Sequence, residues 1–457
     1  MRNQAGKFYV EFLKTLWGTC NIMKKIFKIF CTFALVNLFL VGNSFANDDE
    51  KVLKDELYQA VKDTVDGKLF YQVNIKTVYG PSDIDIYMAN TDDDKLPSAS
   101  TIKPLIGLTI LDRVEKGEMA YTEDIRKNLD LSLRLSDNEA TNRLIEALGG
   151  FDKVNSYIRT LTKKDRTKLN RLMLAKGKEN TANAKDLSLG ILEIYKSDSR
   201  VARDMAKSLS NSSMKRSKLL KNINPKLETM NKTGELESIE NDLAFVKTKS
   251  QGFIISLLTE NNGYMDTYNQ ILLINKLGEN VVRSYEAYEK SYEARERNEN
   301  KKLMERLNTP EKKLAYAVFT NQVFVNAGEI LLESSSEVVD EIRADLLEKI
   351  GESEEILEKS KKTLANFSKE SISSEDDFLV NLVRLLYTDK DLNSEINRDL
   401  ALAFYKNKAS GKAGEILLTD SPRRSLNIRS GLLKNIKTSE EILGQTQKYF
   451  ARLNAEN

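Results

Sequence analysis

Three short clusters hold the side chains of this chain best suited to act together as a reactive site. The first is Ser100-Thr101-Ile102-Lys103, at the start of a run in which Ile102, Leu105, Ile106, Ile110 and Val114 recur at helical spacing before Gly117. A spacing of three sets Ser100 and Lys103 on one helical face, with Pro104 in the first turn, where its missing N–H costs little. A lysine depressed in pKa by burial and positive neighbours can take the proton of such a hydroxyl and leave a nucleophile. Taken alone the pair says little, because Ser212 and Lys215 repeat the spacing in a polar stretch and a serine at a helix start is an ordinary N-cap.

The second cluster, Ser136-Asp137-Asn138, precedes a helical run through Leu144, Ile145 and Leu148 that stops at Gly149-Gly150. All three residue types are common N-caps. As chemistry, Ser136 can relay a proton towards a leaving nitrogen and Asn138 can bind a substrate amide. The third, Lys232-Thr233-Gly234, follows Leu227 to Met230 on an expected strand. There an ammonium and a hydroxyl can hold a substrate carboxylate, and Gly234 leaves room for a ligand against the strand.

The elements that must position these clusters read as α+β. Val52, Leu53, Leu57, Val61 and Val65 predict a helix over 50–66 ending at Gly67. Tyr71, Val73 and Ile75, then Ile84, Ile86 and Met88, alternate as two strands across Gly80-Pro81-Ser82. From about 100 to 210 the pattern is mainly helical. Short strands return over 226–258, with 253–258 apolar enough for a buried strand, and helix follows beyond 262. The Glu-, Lys- and Arg-rich stretch from Tyr285 to Arg306 reads as a solvated connector helix.

Composition narrows the chemistry. There is no histidine, which excludes Ser-His-Asp, Cys-His and His-ligated zinc sites and leaves Lys, Asp, Glu or Tyr as the base. No metal and no cofactor is expected, and a net charge of +2 gives no reason to expect nucleic acid. Both cysteines, Cys20 and Cys31, lie in an N-terminal leader, so no disulfide is expected in the mature chain. In that leader a basic run from Lys24 to Lys28, an apolar run over 29–41 and Ser44-Phe45-Ala46 read as an export signal over 1–46, with Met23 the expected start. The alternative is an uncleaved anchor.

Serine at a helix start, then Ser-Asp-Asn in a helical region, then Lys-Thr-Gly on a late strand resembles the serine β-lactamases and penicillin-binding proteins. The class A branch is the nearer likeness, through Pro97 to Lys103, Ser136 to Asn142, Gly149-Gly150 and Asn241-Asp242 with Leu243-Ala244, over roughly residues 50–285. The resemblance implies a β-lactamase/transpeptidase-like fold, an antiparallel sheet flanked by helices plus a helical subdomain. It implies an exported, cell-envelope serine hydrolase acting on β-lactams or peptidoglycan stem peptides ending in D-Ala-D-Ala. Ser100 would form the acyl-enzyme, Lys103 act as base, and Ser136 with Lys232 move a proton and bind a carboxylate. Asn138, Thr233 and Gly234 would contact the substrate. The N–H of Ser100 and one from Glu237 or Ser238 would form the oxyanion hole. Class A enzymes also carry an Ω-loop glutamate that activates water against the acyl-enzyme. Here one register puts Met173 in its place and another puts Arg166 there, neither of them a base; Glu179, or less well Asp165, is the nearest carboxylate that could substitute.

The resemblance leaves out the C-terminal part. Ala327 to Leu332 recurs as Ala413 to Leu418 and Ser353 to Leu357 as Ser439 to Leu443, at one constant offset. The expected organisation is therefore a leader over 1–46, a serine hydrolase domain over 47–290 and an all-α domain over 291–457 with duplicated segments at about 309–367 and 395–453. Helical repeats of this kind stack and offer a binding face for a protein partner. A scaffold of the same fold, weak or inactive in catalysis, is the alternative for the whole.

Overall fold

The computed structural model describes residues 40–306, apart from 198, 262 and 264, together with 325–329 and 408–409. Nearly all of the duplicated C-terminal segments and most of the leader lie outside the described residues. The chain divides into two compact units after Lys51, and the fold below belongs to the second.

Helix α1 (Leu40–Thr64), which belongs to this unit from Val52 on, leads through Gly67, at φ +69°, into β1 (Phe70–Tyr79) and β2 (Asp85–Ala89). A short β3 (Leu96–Pro97) pairs with β4 (Thr181–Ala182). Between them come a 3-10 turn (Ala99–Ile102) and four helices: α2 (Lys103–Glu115), α3 (Glu123–Arg134), α4 (Asn138–Ala147) and α5 (Phe151–Thr162). Then follow α6 (Ala184–Lys196), α7 (Arg200–Ser210), β5 (Glu228–Leu236), β6 (Ile239–Lys247), β7 (Gly252–Glu260) and α8 (Thr267–Arg306). The main sheet is antiparallel in the order β2-β1-β7-β6-β5.

Both faces of this sheet are covered. On β7, Ile254 and Leu258 pack with Phe245, Leu105 and Tyr195 in one core, while Phe253, Ile255 and Leu257 pack with Leu57, Val61, Leu277 and Tyr285 in the other. Alternate residues of a strand face opposite sides, so a strand buried on both reads as an unbroken apolar run. The second core reaches further along α8 than a solvated connector allows. The Tyr285 ring stacks on Phe253 with centroids 3.7 Å apart and planes 5° from parallel. Glu289, buried, accepts from Thr248 Oγ1 at 2.6 Å, from Ser250 N at 2.8 Å and from Ser250 Oγ at 2.9 Å. Tyr285 to Glu289 are therefore part of the sheet's packing, and Tyr292 still lies against the same core.

Candidate functional site

Ser100 lies in the 3-10 turn, not in the helix proper; α2 begins at Lys103, whose N–H donates to Ser100 O. Pro104 accounts for the break, since it fits the first turn of a helix and cannot donate from its interior. The turn is anchored to the sheet by Asn241 on β6, whose Nδ2 donates to Pro97 O at 2.8 Å and Ser98 O at 3.2 Å. Its Oδ1 accepts from Thr259 N at 2.8 Å on β7. Ala99, just before Ser100, is held at φ +46°.

Lys103 and Lys232 converge on one serine. Lys103 Nζ donates to Ser136 O at 2.6 Å, Asn138 Oδ1 at 2.9 Å and Ser136 Oγ at 3.3 Å. Lys232 Nζ, from β5, donates to Ser136 Oγ at 2.8 Å and Thr233 O at 2.9 Å. Ser136 is held at φ +58°, and Asp137 caps α4 by accepting from Ala140 N at 2.7 Å. The N-cap reading and the chemical reading thus fall on different members of one triplet.

Each lysine side chain is 1% exposed. Burial, reinforced by the charge of Lys232, pushes Lys103 from its ordinary 10.5 down to about 7, with Asp137 and Glu235 pulling the other way. Lys232 is pushed down to about 8, mainly by burial. An amine in that range can exist as a free base near neutral pH.

Gly234 supplies the close approach. A Cβ there would stand 2.9 Å from Ser100 N and 3.0 Å from Ala99 Cβ and Ser98 O. Glu237 and Ser238 do not share this position: they form the two-residue turn joining Leu236 to Ile239. At about 3.3 Å of rise per residue, Glu237 is about 10 Å along the strand from Gly234, too far for an oxyanion donor beside Ser100. The expectation for those two residues is therefore corrected, and the strand amides next to Ser100 are those of Gly234 and Glu235.

The 166–186 segment is stitched down. Arg166 donates to Asp186 from Nη2 at 2.8 Å and Nε at 3.1 Å, and Thr167 Oγ1 donates to the same carboxylate at 2.7 Å. Asn180 Oδ1 accepts from Asn170 N at 2.7 Å and Arg171 N at 3.0 Å. Asn142, on α4, holds Met173 by both backbone groups, its Oδ1 accepting from Met173 N at 2.8 Å and its Nδ2 donating to Met173 O at 3.3 Å. Glu179 is ion-paired with Arg171. Asp165, exposed, pairs with Arg159 and Lys168.

One charged residue at the site escaped the reading by motif. Lys218, buried, lies 2.7 Å from Glu240 and 2.9 Å from Glu235, and donates to Asn241 O at 3.0 Å and Gly234 O at 3.2 Å. Near it Asp242, fully enclosed, is pushed up to about 6 by burial despite the attraction of Lys218. Lys218 sits in a segment with no regular period. Only the adjacency of Glu235 to the Lys-Thr-Gly triplet could have drawn attention to it. Among the described residues there is no group of three Cys, Asp or Glu side chains able to hold a metal ion.

A sequence model of the Beta-lactamase enzyme family matches residues 124–285. Among solved structures, the chain is similar to a β-lactamase from Xanthomonas campestris, at 16% identity and TM-score 0.44, over 51% of this chain and 97% of that one. It is similar to a class A β-lactamase from Mycobacterium abscessus, at 21% identity and TM-score 0.42, over 51% of this chain and 99% of that one. It is also similar to a PBP-A variant solved as an acyl-enzyme complex with penicillin G, at 19% identity and TM-score 0.45, over 52% of this chain and 97% of that one. No curated protein matches. With its helices around one antiparallel sheet and the family match across α3 to α8, the described region has the fold of a β-lactamase-like serine enzyme.

Proposed function

We propose that this protein is an exported serine hydrolase of the cell envelope that forms an acyl-enzyme at Ser100 with β-lactams or with peptides resembling the D-Ala-D-Ala stem. The observation that carries this reading is the convergence of two buried, pKa-depressed lysines on Ser136 beside the turn that bears Ser100. Lys103 as free amine takes the proton of Ser100 Oγ, and the oxygen attacks the carbonyl carbon. The N–H groups of Ser100 and Glu235 face the developing oxyanion; Glu235 is the strand residue after Gly234, where side chains and free-edge amides alternate. The C–N bond then breaks, and a proton passes through Ser136 to the leaving nitrogen. Asn138 and Thr233 hold the rest of the substrate, and Gly234 keeps the strand clear.

Release of the acyl group is the slow half. One register puts Met173 in the place of an activating carboxylate and the other puts Arg166 there, which is tied to Asp186; of the carboxylates that could substitute, Glu179 is engaged by Arg171 and Asp165 by Arg159 and Lys168. A long-lived adduct suits a penicillin-binding role better than rapid β-lactam turnover. The missing Ω-loop glutamate is also the one observation that favours the weakly catalytic scaffold. The serine hydrolase domain is proposed to span 47–290 behind a leader over 1–46. The region over 291–457, with its duplicated segments, is proposed as a helical domain that binds an envelope protein.

The test is intact-mass analysis of the full chain exposed to penicillin G. One adduct is expected, absent in Ser100→Ala, much reduced in Lys103→Ala and persisting for minutes or longer in the wild type. An adduct that survives in Ser100→Ala overturns the assignment, and fast steady hydrolysis of a chromogenic cephalosporin overturns the slow release.

A further inference from the structure

Lys218 is buried beside the site, yet acyl transfer from Ser100 calls for no third lysine. Its Nζ lies among four oxygens: Glu240 Oε2 at 2.7 Å, Glu235 Oε1 at 2.9 Å, Asn241 O at 3.0 Å and Gly234 O at 3.2 Å. These belong to two neighbouring cross-strand pairs of the β5–β6 hairpin, Gly234 with Asn241 and Glu235 with Glu240. One ammonium, with its three N–H groups, thus spans two rungs of the ladder. The adjoining Leu219 N–H donates to Asp242 Oδ2 at 3.1 Å, which ties the backbone of the same segment to β6. A cation enclosed this far is costly to bury, and the two carboxylates offset that cost.

Both carbonyls that Lys218 holds belong to residues that set the reactive turn. Asn241 is the anchor whose carboxamide donates to Pro97 O at 2.8 Å and Ser98 O at 3.2 Å. Gly234 is the residue whose missing side chain lets β5 come against Ser100 N. A shift in either main chain passes directly to Ser100. We infer that Lys218 is a positioning residue, which fixes Gly234 and Asn241 against the Ser100 turn and so sets the aim of the Ser100 hydroxyl without touching the substrate. This rests on the acyl-enzyme reading and adds a residue to it. Misplacing a reacting group by about 1 Å can cost about a hundredfold in rate. A residue of this kind therefore acts on the first-order acylation step, whereas one that holds the ligand acts on its binding.

The test follows acylation of the full chain by intact mass over a range of penicillin G concentrations, which separates the noncovalent binding constant from the first-order acylation constant. Lys218→Met alone strands Glu240, the more enclosed of the two carboxylates, so the decisive variant is Lys218→Met with Glu240→Gln. Removing both partners of a buried pair is far milder than removing one, and this variant should melt close to wild type. Its acylation constant should fall at least about tenfold, while the noncovalent constant stays within about threefold. Glu240→Gln alone, which keeps the ammonium on both carbonyls, should acylate within about threefold of wild type. Lys221→Met, which removes the same charge from an exposed position of the same segment, should change neither constant. A double variant that acylates as wild type does, or one whose loss lies in the noncovalent constant, overturns the inference and leaves the acyl-enzyme reading standing. So does a tenfold loss in Glu240→Gln, which would move the role to the carboxylate. If penicillin G does not label the wild type, the acyl-enzyme reading falls and the inference with it.

Discussion

Lys103 and Lys232 stand on the two sides of the same Ser136 hydroxyl, at 3.3 Å and 2.8 Å, and their proposed roles need opposite protonation states. Lys103 must lose its proton to act as base, and Lys232 must keep its own to assist the leaving group. With the first pushed down to about 7 and the second to about 8, acylation by penicillin G should rise as pH passes about 7 and fall past about 8, measured as adduct formation across a pH series. The same shifts fix the sign of a stability effect. Both folded-state values lie below the ordinary 10.5, so from about pH 7 upward the unfolded chain binds more protons than the folded one, and stability rises with pH across that window. The thermal midpoint should climb between pH 7 and 9, and climb less in Lys103→Met. At this scale the sequence marks the groups whose identity is the signal, such as Ser100 with Lys103, and leaves out those whose meaning is an ion pair. Lys218 and Glu235 are unremarkable until the chain places them 2.9 Å apart.

Strand β5 carries Lys232, Thr233 and Gly234 past the Ser100 turn, and the closeness of that approach depends on a missing side chain. In Gly234→Ala the new methyl would stand 2.9 Å from a backbone nitrogen and 3.0 Å from a backbone oxygen, neither of which can rotate away. The strand or the turn must shift, so acylation should drop by an order of magnitude or more, while overpacking of this size costs about 1–3 kcal/mol and leaves the fold intact. Rate and denaturant midpoint measured on the same preparation separate the two effects. The elements were legible to different depths. The apolar run over 253–258 reflects burial on both faces, which period reports; the alternation at Tyr71, Val73 and Ile75 suggests one solvated face, yet Gln72 and Asn74 between them are buried and hydrogen-bonded. The 3-10 turn at Ser100 does not follow from period, because Ile102 and Leu105 fit a helix that starts at either residue. The sequence puts the second oxyanion donor at Glu237 or Ser238 because nothing in it marks where the strand after Gly234 stops, and β5 ends at Leu236, so both fall in the turn.

Across the whole molecule, α8 joins the α1 face of the sheet to the chain beyond it. Its 40 residues would extend about 60 Å at 1.5 Å per residue, and the part through Glu289 is packed on β7 and its flanking turn. The packing runs on past the proposed boundary near residue 290, since Tyr292 lies against the same core and Glu293 pairs with Lys249. Seating of the helix depends on Gly278, where an added Cβ would run into the backbone oxygen of Leu219. Gly278→Ala should cost at least about 2 kcal/mol and lower the denaturant midpoint, because α8 would have to lift from the sheet. The segment holding Leu219 also carries Lys218, so penicillin labelling should weaken with it.

The backbone beside Ser100 has a consequence at this same scale. Ala99 and Ser136 both sit in the left-handed region, at φ +46° and +58°, where residues with a Cβ are uncommon and a strained position costs about 1–3 kcal/mol. Such conformations persist only where the surroundings over-determine them, and here Asn241, the strand edge at Gly234 and the two lysines do so. Part of the molecule's folding free energy is thus committed to aiming a hydroxyl. Variants selected for heat resistance alone should collect changes that relax these two residues, and they would gain their robustness from the reactivity of Ser100.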